Sequence, residues 1–141
     1  MKKMNDSFYS KLFSLGALWN VCIGLTGVLF YEFSITLFFG SDAVAYNLLS
    51  VMFYKLFMVA VIVFGVGYFI VSRDLTLNRG IVWLGLVSKI ILFIVFTYLF
   101  IDGRATLLAF LTLFGDFIWS LFFILFLWQT KDGVRINNIV G

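Results

Sequence analysis

Polar residues divide the chain into four long apolar runs, from about Leu12 to Phe30, Leu48 to Val71, Ile81 to Ile101 and Ala105 to Trp128. Each reaches the roughly 20 apolar residues that a helix needs to cross the hydrocarbon of a bilayer. None shows the alternating segments of about ten residues that build a barrel, and lipid offers backbone groups no partners, so helices are predicted throughout. No proline interrupts them. The expected fold is all-α: a polytopic membrane protein whose single domain, residues 1–141, forms an antiparallel bundle of four transmembrane helices. With nearly every residue in spans and connectors, no soluble catalytic domain is expected.

The connectors differ in ways that refine this picture. Asp102-Gly103-Arg104 has tight-turn composition and predicts that the third and fourth spans form a hairpin. Ser72 to Gly80 reads SRDLTLNRG, a short basic loop in which Gly80 is suited to end a turn and Asp74 to lie near Arg73 or Arg79. Tyr31 to Asn47 is too apolar and aromatic to float in water. It reads as an interfacial segment over the outer mouth of the bundle, or as an outward extension of the first helix.

Composition reinforces the membrane reading. Apolar residues make up 63% of the chain against 12% charged, and the mean hydropathy is +1.11, values far from those of a soluble domain. Lys2, Lys3 and Lys11 precede the first span, Arg73 and Arg79 lie between the second and third, and Lys131 and Arg135 follow the fourth. The remaining connectors hold mainly Glu32, Asp42, Asp102 and Arg104. By the positive-inside rule both termini are expected in the cytoplasm, with the first span retained rather than cleaved as a signal peptide. The net charge of +3 is then a topology signal directed at anionic headgroups, not at nucleic acid.

Two opposite charges stand inside the last two spans. Lys89 and Asp116 are almost equally far from Gly103, 14 residues before it and 13 after it, which places both roughly 20 Å from the turn and level with each other. A charge at that depth costs at least about 2.5–3.5 kcal/mol, a cost that opposite charges on neighbouring helices offset, so an ion pair is expected. Asn20 falls at a similar depth, Ser88 adjoins Lys89, and Trp119 and Ser120 share the face of Asp116. In the second span Gly65 and Gly67, followed by Tyr68, give a smooth surface for close helix approach or for a ligand; Gly16, Gly24 and Gly27 do the same in the first. Asn20, Gly65, Tyr68, Lys89, Asp116 and Trp119 are therefore the candidate ligand-binding residues, and a polar clasp that fixes helix packing is the competing reading. Glu32 with Lys55, and Arg73, Asp74, Asn78 and Arg79 around a lipid phosphate, form weaker candidates that headgroup anchoring also explains.

Much familiar chemistry is excluded. There is no His and a single Cys22, within the first span, so His-ligated haem, His-based zinc, a thiol–disulfide relay and a Ser-His-Asp triad are all ruled out. GVGYF, Gly65 to Phe69, lacks the third glycine and the setting of a dinucleotide fingerprint. No metal site and no cofactor is expected.

The spacing of Trp19-Asn20, Gly65-x-Gly67-Tyr68, Asp74, Asn78-Arg79-Gly80-Ile81-Val82, Gly85, Lys89 and Gly115-Asp116, with the closing aromatic-rich run, resembles that of small bacterial four-helix membrane proteins of the DoxX-like group. The resemblance spans most of the chain and implies a bacterial inner membrane and this fold; the group shares no single activity to carry over. Small multidrug transporters also have four helices, but their embedded Glu lies well inside the first helix, whereas Glu32 stands at its outer end. Three functions remain: a non-enzymatic accessory subunit or binder of a lipid-like molecule, which leads; a small transporter or proton-linked carrier using Lys89 and Asp116; and, last, an intramembrane enzyme. Membrane lipids, and a membrane-protein partner or a second copy, are the expected associates.

Overall fold

The structure, a computed structural model, describes residues 2–41 and 47–130, with side chains from residue 6 onward. Lys131, Arg135, Asp42 and the side chains of Lys2 and Lys3, which entered the charge pattern above, lie outside the described residues. The described chain forms five helices and no strand: α1 (Lys2–Leu29), α2 (Tyr31–Phe39), α3 (Leu48–Arg73), α4 (Arg79–Ile101) and α5 (Leu107–Gln129). Four of them, α1 from Asp6 onward and α3 to α5, are long and apolar enough to cross a membrane. Their lipid-facing sides carry exposed Leu, Ile, Val and Phe, as expected where lipid replaces water.

The helices begin and end for local reasons. Asn47 caps α3, accepting from the Ser50 amide at 2.8 Å, and Thr106 caps α5, accepting from the Ala109 amide at 3.1 Å. The turn after α4 is longer than the three residues the sequence suggests, because Ala105 and the capping Thr106 also belong to it. Gly103 turns the chain at φ 73°, where a side chain would be strained. Gly80 ends no turn and lies inside α4. The aromatic connector forms α2, set off from α1 by a break at Phe30 (φ −121°, ψ 50°), so it is not a straight extension of the first helix.

The helices pack as two antiparallel pairs, α1 with α3 and α4 with α5. Glycines bring the first pair together: a Cβ on Gly24 would lie 2.8 Å from the Met58 carbonyl oxygen, and one on Gly65 would lie 3.0 Å from that of Ala17. Toward the end that carries the α3–α4 loop, here the loop end, the pairs close around a core of Tyr9, Phe13, Ala17, Tyr68, Val71, Val82, Leu86, Phe123, Phe126 and Leu127. Phe13 anchors it, stacked on Phe123 with centroids 5.2 Å apart and edge-on to Phe126 at 5.0 Å.

Hydrogen bonds fasten both ends. At the loop end the Tyr9 hydroxyl donates to Gln129 Oε1 (2.8 Å), Ser10 Oγ to the Ser72 carbonyl (2.8 Å), and the Arg79 guanidinium to the carbonyls of Leu127 (2.8 Å) and Thr130 (2.5 Å). Arg79 thus occupies the carbonyl end of α5, where a cation is favoured. At the opposite end, here the hairpin end, α2 is held to α5 by the Thr106 amide donating to the Phe38 carbonyl (2.9 Å) and Thr106 Oγ1 donating to that of Leu37 (2.5 Å). Ser34 and Tyr54 share a hydroxyl–hydroxyl bond of 2.5 Å that holds α2 to α3.

Candidate functional site

Halfway along the bundle, Lys89 Nζ donates to Asp116 Oδ1 at 2.5 Å, the contact their common depth predicts. Their side chains are 6% and 15% exposed, so the pair is almost wholly enclosed. Lys89 Nζ also stands 5.7 Å from the centroid of the Tyr68 ring, and that ring fills the space beside Gly85. Ser120 Oγ turns back to donate to the Asp116 carbonyl at 3.0 Å and takes no part in the pair.

The pair does not sit in a close-packed centre. On its hairpin side opens a cavity of about 400 Å³, bounded by Trp19, Asn20 and Ile23 of α1, Phe53, Tyr54, Phe57, Met58 and Val61 of α3, Leu92, Phe96 and Leu99 of α4, and Thr112, Leu113 and Asp116 of α5. Phe38 and Phe39 of α2 cover it. Its size lies within the range of about 300–1,000 Å³ usual for small-molecule pockets. The wall is almost entirely hydrocarbon and aromatic; polar groups come from Asn20 and Asp116 at the floor, with Tyr54 and Thr112 higher up. Thr112 Oγ1 donates to the Leu108 carbonyl at 2.9 Å, and Tyr54 is bonded to Ser34, so both of these hydroxyls already have partners.

A second space, about 300 Å³, lies between α3 and α4 on the other side of the pair, lined by Ala60, Phe64, Tyr68, Ser88, Lys89 and Ile91 among others. It shares Asn20, Phe57, Val61, Leu92 and Asp116 with the main cavity.

Four of the six candidate residues therefore meet at one place: Asn20 and Asp116 line both spaces, while Tyr68 and Lys89 line the second. Gly65 stands apart, buried in the α1–α3 contact, where closeness of the helices takes up the room its missing side chain leaves. Trp119 shares the helix of Asp116 but lines a separate groove between α1 and α5 with Leu15, Leu18, Trp19, Cys22 and Gly115. A residue three positions on is rotated about 60° from its predecessor, and this turns the Trp119 ring away from the cavity toward α1, beside Gly16. Phe38, Phe39, Phe53, Phe57 and Leu113 are wall residues that the sequence did not single out, although the aromatic content of the connector before α3 pointed toward α2 as a cover.

The weaker clusters resolve differently. Lys55 Nζ lies over the Tyr31 ring, 4.3 Å from its centroid, and the Tyr31 hydroxyl donates to Glu32 at 3.0 Å, so Tyr31 stands between the two charges. Asp74 approaches neither arginine; its Oδ1 accepts from the amides of Thr76 and Leu77, both at 3.0 Å, and from Thr76 Oγ1 at 2.9 Å. Those bonds, that from Leu77 foremost, hold its carboxyl below the usual carboxylate range. With Arg79 engaged on α5, the four loop residues do not converge on a phosphate site.

Among the described residues no group of three or more His, Cys, Asp or Glu side chains is placed to hold a metal ion. No family model, curated protein or solved structure matches this chain. The fold, with four helices long and apolar enough to cross a membrane, is compatible with a small integral membrane protein, and it holds a partly open, mostly apolar cavity.

Proposed function

We propose that this protein binds a lipid-like small molecule in the cavity of its hairpin half, with the polar end of the ligand at Asn20 and Asp116, and serves as a binder or accessory component rather than an enzyme. The observation that carries the reading is the cavity itself: about 400 Å³, apolar along its walls, polar at its floor and covered by α2. Ligand pockets combine an apolar lining with a few orienting polar groups in this way. A carrier would need a path onward from Asp116 to the loop end, and there Phe13, Tyr68, Phe123 and Phe126 fill the bundle. That closed core favours binding over transport.

The binding reading is tested with a single-chain amphiphile bearing a diazirine in its tail, incorporated into vesicles with the full chain. Light should attach it saturably to Phe53, Phe57 or Leu99, and Leu113→Trp, which fills the cavity, should remove that labelling. Labelling confined to the outer, lipid-facing surface would refute it.

The proposed setting is a bacterial inner membrane with both termini in the cytoplasm, in keeping with the DoxX-like spacing of the sequence motifs. Lys11, Arg73 and Arg79 at the loop end support that orientation. A cysteine at Thr76 should react with an impermeant thiol reagent only from the cytoplasmic side, and one at Ser41 only from the other. Reaction at Thr76 from outside intact cells would invert the assignment.

A further inference from the structure

Resting on that binding function, we propose that the ligand reaches the cavity sideways, from the hydrocarbon of the bilayer through the gap between α3 and α4, and that the site selects uncharged single-chain amphiphiles whose head donates a hydrogen bond. The gap is the second space described above, and its five residues in common with the main cavity set the two side by side. Its mouth carries Phe57, Ala60 and Ile91, which are exposed on the lipid-facing surface. Ala60 is the thirteenth residue of the 26-residue α3, and Ile91 the thirteenth of the 23-residue α4. The opening therefore lies near the middle of both spans, at the level where the bilayer is hydrocarbon.

Depth selects the head. A charged or phosphate-bearing head is held at the water interface by the cost of burying charge at the bilayer centre, whereas a hydroxyl on a single chain crosses that region readily. The chemistry waiting inside agrees. Lys89 is bonded to Asp116, so the pair offers a ligand no uncompensated charge of either sign. Asp116 uses Oδ1 for that bond, and a carboxylate retains further acceptor capacity; the Asn20 carboxamide, at the same level, can both accept and donate. A charge-balanced floor where the Asp116 carboxylate has acceptor capacity to spare and Asn20 can donate suits a hydroxyl, which donates to the first and accepts from the second. The tail then lies against Phe38, Phe53, Phe57, Leu99 and Leu113. Long-chain alcohols and monoacylglycerols have this chemistry.

The test uses the full chain in phosphatidylcholine vesicles and a monoacylglycerol with a diazirine in its tail. Hexadecanol should displace the probe from the cavity. Hexadecyl methyl ether, which lacks the donor, and hexadecylamine and palmitate, which carry charge, should each compete at least about tenfold more weakly, as expected where a site's buried polar group is left unpaired. Ala60→Phe, and Ile91→Trp on the facing wall, should slow labelling of the cavity severalfold while the melting temperature stays at the wild-type value. If the ether, the amine or the acid competes as well as the alcohol, the head assignment is overturned, while saturable labelling still upholds binding in the cavity. Unaltered labelling rates in both mouth variants, each with a wild-type melting temperature, would overturn the lateral route. Absence of saturable labelling by any of these probes would refute the binding function itself.

Discussion

The loop half and the hairpin half of the bundle are built from the same apolar helices, yet they enclose different things. In the loop half Phe13, Tyr68, Phe123 and Phe126 interlock, and Ala17 and Gly85 make room for the larger rings. In the hairpin half the two helix pairs stand apart around about 400 Å³ of space, closed by a short helix instead of by side chains from the spans. The Lys89–Asp116 pair lies at the boundary. Since helix association in lipid draws little on the hydrophobic effect and much on van der Waals contact and hydrogen bonds, the close-packed half supplies most of the stability. The open half is left free to bind.

Large-to-small substitutions give the sharpest contrast. Phe13→Ala should cost about 4 kcal/mol, because Phe13 is fully buried and its rings' neighbours cannot collapse into the hole. Leu113→Ala, on a wall that already borders empty space, should cost only about 2 kcal/mol, the low end for a buried leucine. Equal losses in reversible unfolding from detergent or lipid would erase the distinction between the halves.

Next in size is the boundary pair. Asp116→Ala leaves a buried ammonium without its partner and should destabilise the protein by about 3 kcal/mol, while Lys89→Met combined with Asp116→Leu should recover much of the loss. Strict additivity of the single effects in a double-mutant cycle would mean that the two charges do not support each other.

A glycine pair probes the same contrast at smaller scale. Gly24→Ala sets a methyl group against the Met58 backbone and should cost about 2 kcal/mol by forcing α1 and α3 apart. At Gly115, where an added Cβ meets nothing within 4 Å, alanine should instead be neutral or stabilise by up to about 1 kcal/mol. A comparable loss at both positions in thermal melts would argue against the tight α1–α3 contact.

The smallest effect belongs to the loop. Asp74 has its carboxyl lowered by bonds made only in the folded state, so its contribution is present above the ordinary carboxylate range and is lost as pH falls through the lowered value. The amide resonances of Thr76 and Leu77 should shift together on acidification, with a midpoint below about 3.9, and Asp74→Asn should abolish the transition. A midpoint at the unperturbed value would show that the turn leaves the carboxyl unaffected.

Spans, hairpin and ion pair were legible in the sequence for one reason: each depends on distance along a helix. Apolar length sets what can cross a bilayer, and nearly equal counts from Gly103 bring Lys89 and Asp116 level, because every residue of a helix advances by the same rise. The separate α2 was legible only in part; the aromatic connector signalled that it would lie against the bundle, but not the break at Phe30. What tertiary structure alone decided is how far apart the helix pairs stand at each level. Apolar residues line the core and the cavity alike, so Gly65 and Trp119 read as equals of Asn20 until packing placed one against α1 and the other on a different groove. Whether facing side chains meet or leave space depends on residues remote in sequence, Phe13 against Phe123 in one half and Phe38 and Leu113 lining one cavity in the other, and that relation exists only once the helices have docked.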